Sequence, residues 1–266
     1  MQEEHSVSIS VIIASLNDRR ISSALDSISK QTLKPFEIIV ADGGTDWNIA
    51  EVCARYGARL EHIPGNVVES RNGALSIATG DLIAFLDTDE TATPTWLEEL
   101  SKPIIHGSAE FTGGPMLHHE AKHGPERYLN QIEDYIYEYQ VPLNIAYLPL
   151  GNSMWKRSVL KKLGGFDVSI PYGEDYDINI RALNSGSRGK YVREAGIYHD
   201  HSEFDSYSKL LKKRYAYLRS AARVFIKNKA LSMRMKSKSG GKVKHPFHII
   251  ETLLKPIALI DAYIRG

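Results

Sequence analysis

The sequence predicts an α/β fold: a wound mixed sheet flanked by helices and followed by a basic helical extension. Three observations predict it. Short β-rich runs alternate with helical patterns through the first hundred residues, which is how βαβ units read. The runs 8–14 (SISVIIA), 36–41 (FEIIVA) and 81–86 (DLIAFL) are almost continuously apolar, as parallel strands covered on both faces must be. Charge is also divided along the chain: residues 1–205 hold 18 Lys and Arg against 30 Asp and Glu, whereas 206–266 hold 15 against 2. An acidic body of this kind suits cation binding, and a basic end suits the phosphates of lipid or nucleic acid.

In order along the chain, strand 8–14 opens the sheet. Helical patterns at 24–31, 47–56 and 68–78 then alternate with strands at 36–41, 58–63 and 81–86. From 108 the pattern is mixed. Segments 108–118 and 146–155 read as strand-to-loop passages, 157–166 as a short helix closed by glycines, 174–186 as a helix with a glycine stop, and 189–201 as strands. This half is read as a continuation of the same sheet that forms the second wall of a cleft. In the tail, Leu211, Tyr215, Leu218, Ala222 and Phe225 recur at helical spacing among Lys212, Lys213, Arg219, Arg223 and Lys227, an amphipathic basic helix. A flexible basic linker at 236–246 follows, then an apolar helix at 247–264 interrupted by Pro256. The domain reading is therefore 1–205, with halves at about 1–107 and 108–205, and a tail at 206–266.

Composition narrows the function classes. With 266 residues, 42% apolar and 24% charged, the chain can bury one large core and has the balance of a soluble protein. The single cysteine, Cys53, excludes an internal disulfide or a thiolate metal cluster. The first apolar block carries two serines and runs into NDRR, so no signal peptide is expected, and no run reaches the length of a bilayer span.

In a wound sheet, ligands collect at the carboxyl ends of the strands. Those ends read SLND, DGGTD and DTDE, so three polar clusters converge on one rim. Asp87 and Asp89 stand at i and i+2 where a strand ends. If the extended path continues, both carboxylates point the same way, a pair able to hold Mg²⁺ or Mn²⁺ with positions left for diphosphate oxygens. The same spacing suits a solvated acidic turn before the helix TPTWLEEL, with Thr93 as N-cap and Pro94 at N1. Glu90 is expected to be a solvated helix-entry charge. Glu174 and Asp175 suit the acidic first turn of a helix, and His199 and His201 form an i, i+2 pair that can ligate a metal or be structural.

The order SVIIASLND, EIIVADGGTD, ESRNGAL, GDLIAFLDTDE, GGFD and GEDYD resembles the family 2 glycosyltransferases of GT-A fold, over about residues 8–205. The resemblance implies a Rossmann-like wound mixed sheet and a metal-dependent, inverting transfer of one sugar from a nucleoside-diphosphate sugar to a hydroxyl. On this sequence it places Ser15 and Asn17 along the nucleoside, Asp42 on the base, Arg71 on base or phosphate, and Asp87 on ribose and metal. It places Asp89 on the metal, with His199 ahead of His201 completing the coordination of Mn²⁺ or Mg²⁺. Asp175 is the implied general base and Glu174 the residue that orients acceptor or base. Departures are a first loop without proline or aromatic residue, and the altered spacing of DGGTDWN, which bears on the nucleotide base. The Gln-x-x-Arg-Trp motif of processive synthases is absent.

A dehydrogenase of similar architecture would need a glycine-rich first turn, and SLNDRR has none. A non-catalytic, membrane-associated nucleotide-sugar-binding or scaffold protein is the rival, separated by whether Asp175 is required. The tail suits a solvated face, a nucleic-acid arm or a membrane-surface anchor. Ile249, Ile250, Leu253, Leu254, Ile257 and Ile260 favour the last, with no nucleic acid and a glycan or lipid-linked envelope acceptor at the inner face of the cell membrane.

Overall fold

Strand β1 (Ile9–Ser15) is buried along its whole length, because ISVIIA presents an apolar side chain to both faces. It pairs in parallel with β2 (Glu37–Asp42) on one side and with β4 (Leu82–Phe85) on the other. The computed structural model describes residues 7–137, 141, 145–227, 243 and 246–265. With β3 (Arg59–His62), β6 (Phe111–Gly113), β8 (Ser153–Lys156) and β9 (Gly189–Tyr191) these strands form a seven-stranded sheet of order β3-β2-β1-β4-β8-β6-β9. Only β8 runs against its neighbours. The chain reverses its direction of growth between β1 and β4, so the crevice above their carboxyl ends is the place where such a sheet holds a ligand.

Helices α1 (Ile21–Ser29), α2 (Ile49–Arg55), α3 (Val67–Ile77), α4 (Trp96–Ile105), α5 (Gly124–Tyr135), α6 (Arg157–Leu163) and α7 (Glu174–Asn184) complete the body. Their sequence signals are local. Asn66 and Glu69 form a reciprocal capping box that starts α3, and Gly164 ends α6 in the left-handed conformation that spares its last carbonyls. Helix α4 starts two residues later than expected: Thr95 is its N-cap, and Thr93 Oγ1 instead donates to the Gly196 carbonyl at 2.9 Å.

The second half does not simply continue the sheet. Strands β6, β8 and β9 do so, but β5 (Glu90–Ala92), β7 (Met116–Leu117) and β10 (Ile197–His199) form a separate small sheet of order β5-β10-β7. Its antiparallel pair sets His199 opposite Glu90. This second sheet bends the chain out of the main one, so the segment after β4 and the segment around His199 meet over the crevice.

The tail forms α8 (Tyr207–Lys227) and α9 (Phe247–Arg265). Apart from 243 and 246, the basic stretch 236–246 lies outside the described residues. Pro256 does not interrupt α9, which runs through it. The buried face of α8 is Leu210, Ser220 and Val224, whereas Leu211 and Phe225 of the expected stripe are exposed. The reason is packing: Val224 sits with Ala146, Ile170 and Ile180 against the body, and Leu210 sits with Tyr128 and Phe247. No helix among the described residues is long and apolar enough to cross a membrane.

Candidate active site

The turn after β4 is the hinge of the site. Residues 88 and 89 form a tight turn closed by Glu90 N–H donating to the Asp87 carbonyl at 3.2 Å. The extended path therefore stops, and the two aspartates face different partners. Asp87 is ion-paired with Arg71, while Asp89 Oδ2 lies 3.5 Å from His199 Nε2 and 3.7 Å from the Arg20 guanidinium. Glu90 is not solvated: it is 2% exposed, and its Oε2 accepts the Asp87 N–H at 2.7 Å. Burial, then the charges of Asp87 and Asp89, push its carboxyl well above the usual range. Gly151 makes room for it, since a β-carbon there would fall 2.4 Å from Glu90 Oε2.

Arg71, on α3, is 4% exposed and bridges Asp87 and Glu174 through its two terminal nitrogens. A lone buried guanidinium would be costly, and two carboxylates offset that cost. Glu174 and Asp175 open α7 behind Gly173, whose φ of 81° is a left-handed turn that a side chain rarely adopts. Burial first, then the adjacent Glu174 charge, raises the Asp175 carboxyl to about 7, against the Tyr176 N–H it accepts at 2.7 Å. That is the range in which a carboxylate works as a general base at neutral pH. Tyr217 of α8 lies in the same field. Desolvation of its hydroxyl, followed by the charges of Glu174, Asp175 and Asp87, raises its phenol above the ordinary value, although the residue as a whole is 39% exposed.

On the rim at the carboxyl ends of β1 and β2, Ser15 ends β1, and its buried hydroxyl has no hydrogen-bond partner. Asn17 has φ 56°, among the described residues the one non-glycine with a left-handed backbone. Asp42, at the end of β2, accepts from Thr45 N–H at 3.2 Å and Gly44 N–H at 3.3 Å, and its Oδ2 lies 3.3 Å from His62 Nδ1. A hollow of about 390 Å³ beside this rim is lined by Leu16, Asn17, Asp18, Arg20, Ser202 and Glu203.

His199 stands between two carboxylates, with Nε2 toward Asp89 and Nδ1 2.8 Å from Glu133 Oε1. Burial alone would lower its pKa, but Glu133 and Asp89 outweigh it and raise it well above the ordinary value. Burial likewise opposes ionisation of Asp89, and the His199 hydrogen bond and charge, with Arg20, hold it at about 2. The pair therefore carries a proton that a divalent cation can replace, since a metal competes with protons for imidazole and carboxylate. This mixed nitrogen and oxygen donor set fits a Mn²⁺-like ion.

The structure thus joins Asp87, Arg71 and Glu174 by ion pairs, with Asp175 next to Glu174 in the first turn of α7, and Asp89 and His199 in another pair across the D-x-D turn. Ser15, Asn17 and Asp42 lie on the adjoining rim. Three residues escaped the sequence reading: Arg20, Glu133 and His118, whose Nδ1 lies 3.5 Å from Glu133 Oε2. Arg20 stands close in sequence to Asp18, whose Oδ2 lies 2.7 Å from its Nη2. Glu133 belongs to α5, a helix signalled by Pro125 near its start and by Tyr128, Leu129 and Ile132 at helical spacing.

The family description glycosyl transferase family 2 matches residues 10–164, more than half of the chain. The chain belongs to glycosyl transferase family 2. Among curated relatives of this family 2 chain, the uncharacterized glycosyltransferase YwdF of Bacillus subtilis (strain 168) is 29% identical over 183 residues, covering 65% of this chain and 67% of YwdF. The pre-mycofactocin glycosyltransferase of Mycobacterium tuberculosis is 27% identical over 185 residues, covering 64% of this chain but only 38% of its own length. The match thus spans about two thirds of the first relative and much less of the second. Two solved structures share the GT-A fold. The mannosyltransferase PcManGT from Pyrobaculum calidifontis, in complex with GDP-Man and Mn²⁺, superposes with TM-score 0.64 at 17% identity, over 98% of this chain and 74% of that one. Glucosyl-3-phosphoglycerate synthase from M. tuberculosis, in complex with Mn²⁺, UDP and glucosyl-3-phosphoglycerate, gives 0.60 at 18% identity, over 85% and 81%.

Proposed function

We propose that this glycosyltransferase moves a single sugar from a nucleoside-diphosphate sugar to an acceptor hydroxyl by one in-line displacement with inversion. Asp175 carries the reading. Its carboxyl, raised to about 7 by burial and the Glu174 charge, opens α7 on the far side of the Arg71 bridge from the D-x-D turn. In the forward step the acceptor oxygen attacks the anomeric carbon, the bond to the diphosphate breaks, and Asp175 takes the hydroxyl proton. Glu174, fixed by Arg71, orients Asp175 and the acceptor. Ser15, Asn17 and Asp42 take the nucleoside, with the unpartnered Ser15 hydroxyl free to donate to it, and Asp87 the ribose.

Asp89 and His199, with Asp87 nearby, would hold Mn²⁺ or Mg²⁺. When bound, that ion supplies the counter-charge for the departing diphosphate. The experiment is a thermal-shift titration with UDP-, GDP- and dTDP-sugars, with and without Mn²⁺, because a ligand that binds only the native state raises apparent stability with its concentration. A metal-dependent shift is expected in the wild type and its loss in Asp89→Asn. A shift in Asp89→Asn as large as the wild type's removes the assigned metal ligand.

The finer setting belongs to the same reading. Residues 1–205 form the transferase domain, with its nucleotide half at about 1–107 and its acceptor half at about 108–205. Residues 206–266 bind the inner face of the cell membrane from the cytoplasmic side, where a lipid-linked or envelope glycan is the acceptor. The aliphatic face of α9 supports this, since Leu253 is 67% and Ile264 73% exposed.

A further inference from the structure

We propose a second metal site, held by His118, Glu133 and His201, for a transition-metal ion of the Zn²⁺ class. It lies on the far side of His199 from Asp89 and does not depend on the transferase reading. The three side chains come from separate parts of the fold: the segment just after β7, the last turn of α5, and the segment just after β10. One ligand atom from each lies within 4.8 Å of the others.

The second observation is that these atoms are buried and face one another at ion-pair distance without a well-formed hydrogen bond. His118 Nδ1, Glu133 Oε2 and His201 Nε2 make no hydrogen bond, and His201 is 7% exposed. Polar atoms that converge on one point without a formed hydrogen bond carry a cost that a bound ion would remove. His118 Nδ1 lies 3.5 Å from Glu133 Oε2, and His201 Nε2 lies 3.1 Å from Glu133 Oε1. An ion with bonds of about 2.0–2.1 Å in tetrahedral array spaces its ligands by about 3.4 Å, so little movement closes the site.

The surroundings are those of a ligand set. His118 Nε2 lies 3.1 Å from Asp134 Oδ1, the carboxylate that fixes a ligating imidazole with its other nitrogen toward the metal. Two imidazoles and one carboxylate leave a fourth position for water, and imidazole favours Zn²⁺ over Mg²⁺ or Ca²⁺. The ion would tie α5 to the small sheet. It would also fix Glu133, whose Oε1 is the partner of His199 Nδ1.

The test is titration of the chelator-treated full chain with Co²⁺ and Zn²⁺ without nucleotide, following the visible Co²⁺ bands and the melting temperature. One equivalent should bind with a four-coordinate spectrum and raise the melting temperature. Binding should persist in Asp89→Asn, weaken by about ten-fold or more in Asp134→Asn, and be lost in His118→Gln. Absence of a saturable equivalent in the wild type overturns the site whatever the variants do. So does retention in folded His118→Gln, or loss in Asp89→Asn equal to that in His118→Gln.

Discussion

Asp175 pairs a useful basicity with a cost to the fold. Its folded pKa of about 7 stands above the ordinary 3.8, so between these values the native state keeps a proton that the unfolded chain has lost. The stabilisation linked to that proton is complete below about pH 3.8 and gone once the pH passes about 7. Asparagine has no proton to lose. The melting temperature of Asp175→Asn, measured from pH 5 to 7.5, should therefore rise relative to wild type as pH increases, by several degrees, since about 1 kcal/mol moves a chain of this size by roughly 2–4 °C. A gap that is flat with pH would mean the carboxyl titrates normally. Arg71 explains why the neighbouring Glu174 is tolerated at all: removing the guanidinium would leave two carboxylates facing each other without a cation.

At the scale of elements, α9 is turned the opposite way from a core helix. It meets α8 through Arg214 with Glu251 and Arg219 with Asp261, while Ala258 and Ala262 supply the close approach. Its isoleucines and leucines face outward, including Ile249, Ile257 and Ile260. In the proposed membrane docking, this outward aliphatic surface would enter the bilayer interface and the basic excess of 206–266 would favour an anionic one. Each aliphatic side chain transferred from water contributes about 1.5–3 kcal/mol. The double variant Leu253→Asp, Ile260→Asp should thus lose at least about ten-fold in sedimentation with anionic vesicles at physiological salt. Equal sedimentation, or none in the wild type, would contradict the docking.

At the scale of the whole molecule, the parts legible from sequence were those set by short-range pattern. Continuous apolar runs gave β1, β2 and β4, and their polar ends gave the rim that holds Ser15, Asn17, Asp42 and the D-x-D turn. What was hidden depends on tertiary packing. The sheet β5-β10-β7 is made of strands of two or three residues, too short for any period to show. Glu90 reads as surface charge until Gly151 and the turn bury it. The face of α8 could not be chosen from its own stripe, because Ile170, Ile180 and Phe247, distant in sequence, decide which residues are covered.

The central claim, that Asp175 is the base of a sugar transfer, is tested most directly by nucleoside-diphosphate release from saturating UDP-, GDP- or dTDP-sugar with Mn²⁺ at pH 8. Water stands in for the acceptor hydroxyl, and donor affinity is measured alongside. The wild type should release the nucleoside diphosphate, and Asp175→Asn should do so about 10²–10⁴-fold more slowly with donor affinity unchanged. Equal release by the two proteins, or no release by the wild type from any donor it binds, would contradict that claim.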